Sequence, residues 1–164
     1  MTITLGVTVE EAILADLKTT IEGVTGGANW NTAVARVDVV DGDGVDQIEV
    51  PWAGIFHAST DASYQGRAAM GGGVPAGLAQ KVALYYVALA MSSGGDDPAS
   101  DIARYRDDVT AALHQTHTRG GNARDTHVIA TEILTKTYQE SHVQATLSVE
   151  VVFAHLFGDP TTPK

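Results

Sequence analysis

Between His142 and Phe157 the chain alternates apolar and polar residues with a period of two. Val143, Ala145, Leu147, Val149, Val151 and Phe153 fall on one side, with Gln144, Thr146, Ser148, Glu150 and Val152 on the other. Successive side chains of a strand point to opposite faces, so this run predicts a strand with one face in a core and the other toward water or a polar partner. The segment His127 to Gln139 reads as another strand, and the short Glu140-Ser141 connection joins the two into a long antiparallel hairpin.

Helical spacing appears twice. Thr8 followed by Glu11 is a capping-box pattern, in which each side chain satisfies a free backbone N–H of the first turn. Val9, Ile13, Leu17 and Ile21 then form an apolar stripe, and Gly23 stops a helix predicted over about 9–22. The second helix opens at Pro98 or Ala99, with Asp96, Asp97, Ser100 and Asp101 supplying caps and negative charge at its positive end. Its stripe is Ile102, Tyr105, Val109 and Leu113 with Ala112, and it frays near Thr116. Arg104, Arg106, Asp107 and Asp108 fall largely off the stripe and read as its solvated face.

Three further extended segments are predicted. Thr32 to Val40 places Ala33, Ala35, Val37 and Val39 on one side. After the turn Asp41-Gly42-Asp43-Gly44 comes a piece from about Ile48 to His57. Pro51 within it cannot donate to a ladder, so this is an edge strand or one that starts near Trp52. Lys81 to Met91 is apolar on both faces, as in a central strand covered on both sides by helices or by a neighbouring chain. Residues 58–79 are rich in small residues, with Gly71-Gly72-Gly73 in the middle. They read either as a surface loop or as an arm that orders against a neighbouring subunit. Thr118 to Arg124 is a second glycine-bearing loop, and the tail 158–164 is expected to fray. The element order predicts an α+β fold: a single domain, with a mostly antiparallel sheet of about five strands and two main helices on one face. The second sheet face is only partly polar, and one chain lacks the helices to cover it.

Composition narrows the function classes. The 164 residues are 44% apolar and 18% charged, which is globular, and long enough to bury a core as one domain. With no cysteine there is no disulfide framework, thiol nucleophile or thiolate metal site, in keeping with assembly inside a cell. The first twelve residues have neither a basic nor an apolar signal region, so no signal peptide is expected, and the run Val82–Met91 is about half the length of a bilayer-spanning helix. A soluble protein without membrane contact follows. The net charge of −10 repels a phosphate backbone and argues against sequence-independent nucleic-acid binding.

Candidate chemistry is sparse. His114 and His117 stand one helical turn apart, but Gln115 and Thr116 between them supply no glutamate base, and no third metal ligand is nearby. His127, His142 and His155 fall on predicted strands. The run Val40 to Asp46 resembles half a calcium loop, yet the first aspartate would fall at Val39 and the closing glutamate at Val50. An Asp-Gly turn accounts for it. Gly66 to Gly77 lacks the Gly-Lys-Ser/Thr of a phosphate loop, and no serine lies in a Gly-x-Ser-x-Gly elbow. Neither an enzyme, a metal site nor a cofactor is expected.

Taken in order, the helix ILADLKTTIEGV, TAVARVDVV, the segment around PWAGIFHA, KVALYYVALAM, the helix PASDIARYRDDVTAALHQ and the hairpin IATEILTKTYQESHVQATLSVEVVF resemble the tail terminator (tail-completion) proteins of long-tailed bacteriophages and related tailed viruses. The resemblance covers nearly the whole chain and rests on order and texture, with no catalytic signature to match. It implies an α+β subunit of a hexameric ring that caps the tail tube, stops tube polymerisation and joins the tail to a head-side connector. The implied partners are further copies of the chain, the tube protein and the connector or stopper protein, with genomic DNA only passing through the channel. The implied location is the tail or neck of a virion assembled in host cytoplasm. The neighbouring readings are another neck component or the tube protein itself, and outside that class a metal- or small-molecule-binding module. Within the ring reading, Tyr64, Arg67 and Met70 on the arm, and Arg119 and Arg124 on the second glycine loop, are expected to contact partners, because arginines on flexible loops of an acidic protein can pair with a neighbour's carboxylates.

Overall fold

The computed structural model describes residues 6–41, 48–62, 78–134, 142–156 and 159–164. Among these the chain forms helix α1 (Val9–Glu22), strands β1 (Arg36–Val39), β2 (Trp52–Ala62) and β3 (Leu78–Ser92), helix α2 (Pro98–Gln115), then β4 (Asp125–Leu134), β5 (His142–Leu156) and β6 (Asp159–Pro163). The fold is α+β. Strand order across the sheet is β1-β2-β3-β5-β4, with β6 also paired to β5, and every pairing is antiparallel except β1 with β2.

Both helices begin where their caps dictate. Thr8 Oγ1 accepts the Glu11 N–H at 3.1 Å while the Glu11 carboxylate accepts the Thr8 N–H at 2.8 Å, and these bonds hold the Glu11 pKa below its ordinary value. At α2, Asp97 Oδ1 accepts the Ser100 N–H at 3.2 Å and Pro98 occupies the first turn. The stripes Val9, Ile13, Leu17, Ile21 and Ile102, Tyr105, Val109, Leu113 are buried in one core with Ala83, Tyr85, Val87 and Leu89 of β3 and the inward set of β5 from Val143 to Phe153. Each large side chain in that core contributes about 1.5–3 kcal/mol, so packing of these stripes outweighs helix propensity in holding α1 and α2 to the sheet. This main core lies on one face of the sheet.

β3 is central, paired with β2 from Trp52↔Ala90 and with β5 from Leu78↔Leu156 to Ser92↔His142. As expected, the two helices lie on one face of the sheet. β2 runs through Ala62 and β3 starts at Leu78, so both strands extend into the predicted loop 58–79. Its remainder, 63–77, lies outside the described residues. β2 starts at Trp52, after a cis Val50–Pro51 bond, and β1 lies outside its first four residues.

Three expectations are corrected. The strand predicted over 32–40 shrinks to Arg36–Val39, because upstream the backbone is held by other partners: the Thr32 N–H donates to Asp108 Oδ2 at 2.8 Å and the Val34 N–H to Val24 O at 2.9 Å. Asp108 is accordingly buried rather than solvated, and its other oxygen accepts from Asn31 Nδ2 at 3.0 Å. The tail is not frayed, since β6 takes the edge of β5 beyond the start of β4, pairing His155 with Pro163.

The turn into β6 is tied by Asp159, whose carboxylate accepts the Thr161 N–H at 3.0 Å and the hydroxyls of Thr161 and Thr162 at 2.5 and 2.6 Å. These bonds lower its pKa from 3.8 to about 2. A depressed carboxylate pKa adds stability above the unfolded value, lost as pH falls through the folded one. The Thr161 and Thr162 resonances are therefore expected to shift with a midpoint near pH 2 in an NMR titration, and to show no such midpoint in Asp159→Asn.

Candidate interaction surfaces

The face of the sheet away from the helices carries Trp52, Gly54 and Phe56 of β2 and Leu84, Tyr86 and Ala88 of β3. From β5 it carries Thr146, Ser148, Glu150 and Val152, and from β4 Ala130 and Glu132, as the cross-strand registers place them. It is half apolar, and Tyr86 is 43% exposed. At its β1–β2 corner a second, small core forms from Val40, Trp52 and Ala90, with Ile48, Val50, Phe56 and Ala88 packed against it. The Trp52 ring lies over Gly54, where a Cβ would sit 2.3 Å from the indole, and its Nε1 donates to Asp38 Oδ2 at 2.7 Å. Asp38 also pairs with Arg36 Nε at 2.8 Å.

The two lateral edges of the sheet are β1 and β4. Two of the exposed large hydrophobic residues lie there: Val39 on β1 (44% exposed) and Ile129 on β4 (56%), the latter where the register shifts between Val128 and Ala130. An extra residue in one strand is a β-bulge, a common device at sheet edges.

The arginines singled out on the second glycine loop part company. Arg124 is exposed, with its N–H donated to Val152 O at 2.8 Å. Arg119 is 0% exposed, and the expectation that it faces a partner is corrected. Its Nη1 pairs with Asp16 Oδ2 at 3.1 Å and donates to Thr20 Oγ1 at 3.2 Å. Nε donates to Thr126 Oγ1 at 3.1 Å, and Nη2 to Thr116 Oγ1 at 2.8 Å and to Leu113 O. The guanidinium thus joins α1, the end of α2 and the start of β4. Burial lowers its pKa, opposed by the charge of Asp16. The backbone bends inward to place it, with φ of +48° at Arg119, +65° at Gly120 and +87° at Gly121. Tyr64, Arg67 and Met70 lie outside the described residues.

One polar cluster was not anticipated from the sequence. His57 Nε2 lies 2.9 Å from Glu10 Oε1 and 2.8 Å from Thr60 Oγ1, and the Thr60 hydroxyl also donates to Glu10. The His57 ring packs on Tyr85 at 5.1 Å between centroids, and burial followed by the charge of Glu10 pushes the Tyr85 phenol pKa up. Carboxylate, imidazole and hydroxyl superficially suggest a nucleophile relay. Such a relay uses both ring nitrogens, one toward the hydroxyl and one toward the carboxylate. Here both partners converge on Nε2, so the group reads as a clasp between α1 and β2. No signal in either segment alone marks it, because Glu10 and His57 meet only through the fold.

The remaining candidates stay apart. His114 Nε2 lies 3.5 Å from the Val128 N–H, and among the described residues no three His, Asp or Glu side chains could hold a metal ion. The aspartate turn falls outside the described residues beyond Asp41. Among those residues, no helix is long and apolar enough to cross a membrane. No family model and no curated protein matches the chain.

Proposed function

We infer that the chain is a structural ring subunit of a virus tail, capping the tail tube, ending its polymerisation and presenting a surface to the head-side connector. The observation that carries this reading is the one-sided layering. Two helices bury one face of the sheet, while the other, beyond the small Trp52 core, keeps Tyr86, Leu84 and Val82 among polar side chains with no helix over it among the described residues. A subunit repeated about a rotation axis supplies such burial from its neighbours. The likeness in element order to tail-completion proteins supports the same reading. So does the net charge of −10, since a negative wall does not hold a passing duplex. No converging acid–base or nucleophile set among the described residues favours a catalytic alternative.

Size-exclusion chromatography with light scattering, alone and after incubation with purified tail tubes, tests the reading. The expected result is a closed ring, or a monomer that converts to a ring on the tube and halts its growth. Unlimited self-polymerisation would instead identify a tube protein. A strict monomer that ignores tubes and connectors would overturn the structural-ring reading.

A further inference from the structure

Among the described residues the two outer strands of the sheet, β1 and β4, are complementary to each other in direction, face and charge. β1 runs parallel to β2, β3 runs opposite, β5 returns and β4 runs opposite again, so β1 and β4 point in opposite directions. A second copy placed beside the first in the same orientation would therefore set its β4 antiparallel to β1. On β1, Arg36 and Asp38 share the open face with their partners Trp52 and Gly54, while Val37 and Val39 belong to the helix-covered face with Ala53 and Ile55. On β4, Ala130 and Glu132 share the open face with Ser148 and Thr146, while Thr131 belongs to the covered face with Leu147. The His114 side chain meets the Val128 N–H at the limit of hydrogen-bond distance, so the edge accessible to a new strand begins at Ile129.

We propose that subunits join head to tail through these edges, β4 of one copy pairing antiparallel with β1 of the next, in the register that sets Ile129 against Val39 and Glu132 against Arg36. That register also sets Thr131 against Val37 and Ala130 against Asp38, so covered face meets covered face and open face meets open face. A shift of two residues one way would oppose Asp38 with Glu132, two carboxylates, and the opposite shift would set Glu132 against Val34 and take Ile129 away from Val39. The two most exposed aliphatic positions of the edges then bury each other, and Glu132 joins the existing Arg36–Asp38 pair. Because the contacting edges differ, the contact is heterologous, and repetition gives a ring or an open chain rather than a two-fold dimer. This rests on the ring reading above and specifies its subunit contact.

The chain has no cysteine, which makes the test direct. Opposed positions of an antiparallel pair bring Cα atoms to about 4.5–5.5 Å, within disulfide reach. Two chains, Val39→Cys and Ile129→Cys, are each prepared with a different isotope label and oxidised under conditions where light scattering shows assembly, alone or on tubes. Mixed chains are expected to give a covalent dimer containing one of each, and neither chain alone should cross-link. The double variant should give a ladder ending in a closed species. Glu132→Arg should weaken association about two- to fivefold per contact, with recovery in Arg36→Glu/Glu132→Arg. Cross-linking of either single variant with itself would establish a two-fold contact and overturn the proposal. Assembly without any mixed cross-link would overturn it too, while leaving the ring reading intact. Absence of assembly under every condition would overturn both.

Discussion

Arg119→Ala is expected to lower the unfolding free energy by about 2–5 kcal/mol, the scale of truncating a large buried side chain and leaving its buried acceptors without their donor. The loss has three parts. Asp16 loses its cation, the hydroxyls of Thr20, Thr116 and Thr126 and the carbonyl of Leu113 lose a donor, and a void opens where α1, α2 and β4 meet. Arg119→Lys should recover only part of this, because one ammonium cannot span acceptors arranged around a planar fork. Arg119→Gly separates side chain from backbone. A left-handed φ costs a non-glycine residue about 1–2 kcal/mol, so the glycine variant should be more stable than the alanine variant by about that amount while remaining far below the parent. Urea unfolding followed by circular dichroism measures all three. A fall of less than about 1 kcal/mol in Arg119→Ala would mean that the network is surface decoration.

The second large effect concerns Gly54. A methyl group there would overlap the Trp52 ring, with the added carbon 2.3 Å from the indole edge, so Gly54→Ala must displace the ring from Asp38 and from the small core beside it. Forced repacking of this kind costs about 1–3 kcal/mol. Gly54→Val should cost more. Trp52→Leu in the same chain should relieve the clash and make the alanine nearly neutral relative to Trp52→Leu alone, which is the signature of direct contact in a double-mutant cycle. Trp30 and Trp52 are the chain's tryptophans, so emission in a Trp30→Phe background reports on Trp52 directly. A red shift in Gly54→Ala is expected, and unchanged emission would show that the ring does not rest on Gly54.

Much of this architecture is legible in the residues because local rules and burial agree. Thr8 with Glu11, and Asp97 with Pro98, start both helices where their side chains say, and every inward position from Val143 to Phe153 is buried. The misreadings share a cause. Arg119 in a glycine loop reads as surface, since its acceptors are spread from Asp16 to Thr126 and meet only after folding. Asp108 falls off the apolar stripe of α2, yet it is buried because the loop at Asn31-Thr32 brings it backbone and amide donors. Alternating alanine and valine from Ala33 to Val39 looks like a single strand, but small alanines give little burial to hold Ala33 and Ala35 in a sheet, and both are exposed. The Glu10–His57–Thr60 clasp likewise joins segments about fifty residues apart. The edge contact needs strand directions, which no local pattern contains.

The central β3–β5 pairing has a kinetic consequence. β2 and β3 are sequence neighbours, as are β4 and β5, but joining the two pairs requires Ser92 to find His142 and Leu78 to find Leu156 across a segment that includes all of α2. Loop closure must precede the contacts that reward it, and topologies of this kind fold slowly relative to helical bundles of equal size. Until that seam closes, each half exposes a long strand with an apolar face, Leu78–Ser92 in one and His142–Leu156 in the other. A newly made chain therefore passes through an interval in which wrong pairing between copies competes with correct closure, and low synthesis temperature and dilution favour the native subunit.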